Sequence, residues 1–451
     1  MKWNRWKRLI VGGVFSWMLL SLYTHTEAAE LAVSPNQSLQ DVINQANAGD
    51  KLVLEKGIYK GPFHLTKSLT ITGENGAVLD GQGEGSVLTI QAKDVTIENL
   101  SIQNSGKGKE DSGVYVLEGG NHIITQNQME DVMNGVFVEK SQSVRILENV
   151  VTSFAGGIYD RGNGIHLLRG AGHTIQGNTI DLVQDGVYLD FAKEIYLERN
   201  EITQSRYAFH FMFSDNILTK RNRLADNITG MMIMNSAQLE LMENEIIDHF
   251  DFRGFGIIMY ESEAIVLAEN ELKRNSTGLS LENTKDVSIS RNQISGNQVG
   301  LEFKKKNEGS QFTENNFIGN VVQSKITDDE MRLDNGELGN YWDDYGSFDV
   351  TGDGIGEVTY KAGSLYDQLL DRQPYWQFFF ESPAVKLWSK AETLFPSIGV
   401  EVYDGKPLVQ PVDLQENNGK QGEKKNESVL ITAILFLALS LFLIWKGRKL
   451  S

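Results

Sequence analysis

Two short apolar segments carry side chains able to grip a soft metal ion. YAFHFMF, residues 207–213, sets His210 and Met212 at alternate positions, and TGMMIMN, residues 229–235, sets Met232 and Met234 in the same two slots 22 residues later. Imidazole and thioether groups without thiolates suit Cu(I); they suit zinc poorly, and calcium or magnesium not at all. Whether the four side chains form one set depends on which way they point. The repeat around them decides that.

Segments of the form GVYV, GIHL, AFHF or GLEF begin at 113, 135, 164, 186, 208, 230, 256, 278 and 300, and six of the eight intervals are 22 residues. A second segment in each unit ends on an asparagine, at 127, 149, 178, 200, 222, 244, 270 and 292. Short period-2 segments at a fixed interval predict an all-β fold, a right-handed parallel β-helix with one coil per repeat. The recurring asparagine suits an inward amide ladder. A helical solenoid conflicts with the Asn, Gly and β-branched content and with the missing 3.6-residue period. SLQDVINQANA, residues 38–48, has a capping-box-like start and places Leu39, Val42, Ile43 and Ala46 on one helical face. It reads as a helix that covers the first coil's open edge.

Within each strand, the residues one and three places after the Gly position are apolar in all nine coils, from Val114 and Val116 to Leu301 and Phe303. They face inward, so the alternate columns, which contain Glu139, Asp190, Glu282 and Lys304, face out. His210, Met212, Met232 and Met234 all fall in the outward columns. Coils stack ~4.8 Å apart and alternate residues lie ~6.6 Å apart, so the four would mark the corners of a small rectangle. His166 shares the column two coils earlier, with Tyr188 between, and is a second-tier ligand. Met231 and Met259 face the core, and His122 and His173 read as core or corner residues. Two readings of the outward group stay open: a ligand set for Cu(I), or a sheet face covered by a loop or partner.

Insertions after Asn149 (FAGGIYDRGN), after Asn244 (DHFDFRGF) and before Gly113 (SGKGKED) enter at one corner of the coil. They should edge the His/Met face and carry recognition, which makes Asp160, Arg161, His249, Asp251 and Arg253 candidate partner-binding residues. Past the coils, GNYWDDYGSFDVTGDGIGEVTY imitates half of a calcium loop through Asp349, Asp353 and Glu357. Tyr360 stands where the bidentate Glu belongs. An acidic, turn-rich cap built on Tyr341, Trp342, Tyr345, Tyr375 and Trp376 is the alternative.

The chain has 451 residues, no cysteine and a net charge of −18. Thiolate metal sites are excluded, and the charge argues against nucleic-acid partners. Basic residues before an apolar run at 9–22 predict a signal peptide over 1–28. The cap and first irregular coils follow over 29–111, the regular β-helix over 112–320 and a C-terminal capping segment over 321–414. A polar stalk at 415–428, one transmembrane helix at 429–446 and a basic tail at 447–451 would tether the folded part outside the cytoplasm.

The signal peptide, the 22-residue coils and the NYW-D-DY…GDGIG-E segment closing with LLDRQPYW together resemble the NosD family, exported accessory proteins for maturation of nitrous oxide reductase. The resemblance implies copper handling for that enzyme's copper–sulfur centre. It also implies docking to the membrane and ATPase subunits of an ATP-binding-cassette (ABC) transporter, and exchange with a copper-carrying lipoprotein chaperone. The C-terminal span departs from the soluble periplasmic form of the family. The competing class is a polysaccharide-active enzyme. The polygalacturonase-like strings NTD, GHG and RIK do not occur, and the outward carboxylates are scattered rather than paired.

Overall fold

In the computed structural model, residues 28–252, 254–327, 331–362, 382–384, 387 and 402–414 are described. Arg253, LLDRQPYW and the expected stalk, span and tail lie outside them, as does the expected signal peptide up to residue 27. Among the described residues no helix is long and apolar enough to cross a membrane.

The chain winds into a parallel β-solenoid with three sheets of 13, 12 and 13 strands, each sheet taking one strand per coil. Within 29–111, Lys51–Leu54, Thr70–Gly73 and Thr96–Glu98 already pair in parallel as coils. Both inward columns are buried throughout, from Val114 and Val116 to Leu301 and Phe303. A continuous apolar core of this kind is the main stabilising term.

One corner of the coil turns through a left-handed residue placed just before the ladder asparagine, as at Arg199 (φ 52) and Arg221 (φ 54). Such a conformation costs an L-residue about 1 kcal/mol, and the asparagine offsets it with hydrogen bonds. Asn200 donates its backbone N–H and its amide to Asn222 Oδ1 at 3.0 and 2.9 Å, and Asn222 does the same to Asn244. Each amide also reaches a carbonyl of the previous coil, as Asn200 reaches Ile175 O at 2.9 Å. The ladder continues beyond the expected positions through Asn315 to Asn340. It ends on the buried carboxylate of Asp404, which accepts from Asn340 N, Asn340 Nδ2 and Trp342 Nε1 at 2.8, 3.0 and 3.1 Å.

Both ends are capped. The helix Leu39–Gln45 starts at Ser38, whose side chain accepts from Asp41 N, and it buries Leu39 and Ile43. Gln40 donates to His64 O and accepts from His64 N. Its amide thus satisfies the edge strand Phe63–Leu65 where no further coil pairs with it. At the far end Trp342 is fully buried, stacked on Phe317 at 4.0 Å and on Tyr360 at 4.5 Å. Tyr375 and Trp376, expected in the same cap, lie outside the described residues.

Candidate metal-binding face

The strands Tyr207–Met212 and Thr229–Met234 are parallel neighbours in the 12-stranded sheet, in a register that pairs His210 with Met232 and Met212 with Met234. Phe209, Phe211, Met231 and Ile233 between them are fully buried. The four candidate ligands therefore point away from the core, on adjacent rungs and alternate positions.

The face is less open than parity alone suggests. His210 is only 8 % exposed, and the three methionines are half-buried. The reason is aromatic stacking along the column: Tyr115, Phe137, His166, Tyr188 and His210 lie ring upon ring with centroids 4.5–5.2 Å apart. Tyr207 adds an edge contact to His210 at 5.0 Å. His210 thus sits in the wall of the face rather than on its surface, a correction to the expectation that it projects to solvent.

Two contacts set the chemistry of the ligands. His210 Nδ1 lies 2.9 Å from Asp185 Oδ2. Arg206 donates to both oxygens of that carboxylate, at 2.8 and 2.7 Å. Burial pushes the Asp185 carboxyl up, but the hydrogen bonds from His210 and Arg206 outweigh it and hold the group below the usual carboxylate range. A carboxylate on one ring nitrogen fixes the tautomer and leaves the other nitrogen's lone pair for a metal. Tyr188 donates its O–H to Met212 Sδ at 3.4 Å. Asp185, Arg206 and Tyr188 were not singled out as functional from the sequence. The legible signal was an acid and a base 21 residues apart at one coil corner, beside the coil of the outward histidine.

His166 does not join the quartet, because Tyr188 lies stacked between the two imidazoles. Burial lowers its pKa to about 4, so the ring is neutral at ordinary pH, and its buried Nε2 has no hydrogen-bond partner. Phe191 and Phe213 form an exposed stacked pair, centroids 4.9 Å apart, at the turn after Asp190 and Met212. Both hold left-handed backbone, φ 53 and 50, which is unfavourable for bulky residues.

All three insertions lie at one corner, between a 13-stranded sheet and the 12-stranded sheet, as expected. Tyr159, Phe250 and Phe252 are exposed on them, and Ile158, Ile228 and Phe250 border a groove over Ser205 and Asn227. Asp160 closes its own short turn by accepting from Gly157 N, Arg161 reaches Gln204 O, and Asp251 is exposed. His249 requires a correction. It is fully buried, not a surface loop residue, because it fills one rung of a second ladder: Asn227 N donates to its Nδ1 at 3.1 Å, and its own N–H donates to Asn275 Oδ1. His122 and His173 are buried corner residues, each accepting a backbone N–H through Nδ1.

Asp349 accepts from Gly352 N and Gly354 N at 2.6 and 2.9 Å, while Asp353 accepts from Ile355 N. These carboxylates fold their own loop, and among the described residues no three His, Cys, Asp or Glu side chains converge as a metal site. Asp349, Asp353 and Glu357 are therefore not assembled as calcium ligands. A Met-rich quartet is of a different kind, and three thioethers with one oriented imidazole fit a soft monovalent ion.

Fold and face together define a parallel β-solenoid that presents soft side chains on one outward sheet. The family described as "Periplasmic copper-binding protein (NosD)" matches residues 155–347, a span that includes all four side chains. A Stutzerimonas stutzeri protein named "Probable ABC transporter binding protein NosD" is 29% identical over 397 residues, 83% of this chain and 90% of its own length. A Pseudomonas aeruginosa protein of the same name is 28% identical over 400 residues, 84% and 93% of the two chains. Across these matches the chain is similar to the NosD family. Among solved structures, an Azotobacter vinelandii mannuronan C-5 epimerase A-module matches with a TM-score of 0.55 at 13% identity, over 64% of this chain and 90% of that one. A Yersinia enterocolitica exopolygalacturonase matches at 0.50 and 9%, over 68% and 79%. That likeness is one of fold alone.

Proposed function

We propose that this protein is an extracytoplasmic copper-binding and copper-transfer protein that assists maturation of the copper centre of nitrous oxide reductase and works with an ABC transporter. The copper-binding description of the family it matches and the transporter-binding name of its relatives support that role. The observation that carries the reading is the register: His210 opposite Met232 and Met212 opposite Met234.

In this reading Met212, Met232 and Met234 hold Cu(I) through their thioether sulfurs, and His210, oriented by Asp185, completes the site through Nε2. Copper is cargo. It arrives from a copper-carrying lipoprotein chaperone and leaves toward nitrous oxide reductase, while transporter subunits supply the docking platform. Half-buried thioethers on a sheet face favour transfer over storage, since an incoming ligand can approach without the fold opening. The exposed aromatic loops at the corner of the same sheet are the contact points for such partners. The segment 429–446 tethers the folded part to the membrane.

Anaerobic competition of the purified full chain against a Cu(I) chelator tests this. Wild type takes one Cu(I) per chain, and the Met232→Ala/Met234→Ala double variant binds at least about tenfold more weakly. Equal affinity in the two proteins removes these residues from the site.

A further inference from the structure

Tyr188 touches two of the four candidate ligands at once. Its ring lies on the imidazole of His210, centroids 4.6 Å apart and planes 16° from parallel, and its O–H donates to Met212 Sδ. The register explains the reach. Tyr188 pairs with His210 and Asp190 pairs with Met212, so the phenol crosses diagonally to the sulfur of the next coil.

We infer that Tyr188 regulates copper release from this face, its phenol O–H competing with Cu(I) for the Met212 thioether. The inference rests on the Met/His reading of the site. A thioether is a weak acceptor, and a proton donor on its lone pair makes the sulfur a poorer ligand for a soft cation. Among the described residues this phenol has no other hydrogen bond, unlike Tyr115 in the same column, whose O–H is committed to Glu139 at 2.7 Å. The phenol therefore engages Met212 while its ring stacks on the imidazole. Copper gains Met212 only by displacing the phenol, and the returning phenol assists release. Tyr188 is a positioning residue in this scheme and not a ligand.

Tyr188→Phe removes the hydroxyl and keeps the ring stack. In the full chain, chelator competition and stopped-flow transfer of Cu(I) to the chelator should show binding about fivefold tighter and release correspondingly slower. Met212→Leu, measured alongside, should bind more weakly than wild type. A purely structural role for Tyr188 predicts the opposite sign, because loosening the face weakens binding. Unchanged or weaker binding in Tyr188→Phe, with Met212→Leu weakened, overturns the role of Tyr188 and leaves the face standing. Wild-type binding in Met212→Leu removes Met212 from the site, and the inference falls with it.

Discussion

His210 and Asp185 meet across one coil step, imidazole Nδ1 to carboxylate Oδ2 at 2.9 Å, with Arg206 donating to both oxygens of the same carboxylate. The guanidinium balances the carboxylate's charge, and the carboxylate fixes the orientation of the imidazole. The pair turns an outward histidine into an oriented donor.

Replacing that carboxylate separates orientation from stability. Asp185→Asn should weaken Cu(I) binding at least about tenfold, the usual effect of losing the partner behind a metal-ligating histidine. It should also cost about 3 kcal/mol of stability, because the partly buried Arg206 loses its counter-charge. The Asp185→Asn/Arg206→Gln double variant should recover much of the stability and none of the affinity. Urea unfolding read beside chelator competition distinguishes the two effects; recovery of both together would contradict the orienting role.

Acid should loosen the solenoid through its buried histidines. Burial lowers His166, His173 and His249 from 6.5 to about 4. Protons then bind the unfolded chain first, so this contribution to stability is complete above pH 6.5 and is lost as pH falls toward 4. His249→Asn installs the residue that the other rungs of that ladder use. It should reduce the loss between pH 7 and 4.5 by about 2 kcal/mol, as read from urea midpoints across that range. An unchanged pH profile would mean that His249 is not held neutral in the ladder.

The asparagine ladder should act as a continuous stabilising element. Asn222→Ala removes the acceptor for Asn200 N and Nδ2 and the donor to Leu197 O, all buried. The expected cost is about 3 kcal/mol or more. Glu240→Ala, on an exposed outward position, should change stability by less than about 0.5 kcal/mol. Similar unfolding midpoints for the two variants would contradict the ladder's role.

Much of this architecture is legible in the sequence because side-chain parity and coil spacing are local. Nine apolar column pairs, eight ladder asparagines and the SLQDVINQANA helix could all be read in order along the chain, and the corner of the three insertions followed from the spacing. The Asp185–Arg206–His210 cluster could not be read so, since it forms where the corner of one coil overlies the next, and turn geometry rather than period sets that overlap. His249 was misplaced because its ladder is broken by Ser205 at one end and by the histidine itself, which hides the run of Asn227, Asn275, Asn297 and Asn320. The closure of the first ladder by Asp404 joins residues 64 apart in the chain, with no repeat to announce it.

X-ray absorption at the copper edge of the Cu(I)-loaded full chain tests the central claim most directly. The account predicts one Cu(I) with a shell of sulfur and nitrogen in a ratio of about three to one, reduced by two sulfurs in the Met232→Ala/Met234→Ala variant. A shell of nitrogen and oxygen alone, or a sulfur shell unchanged in that variant, would contradict it.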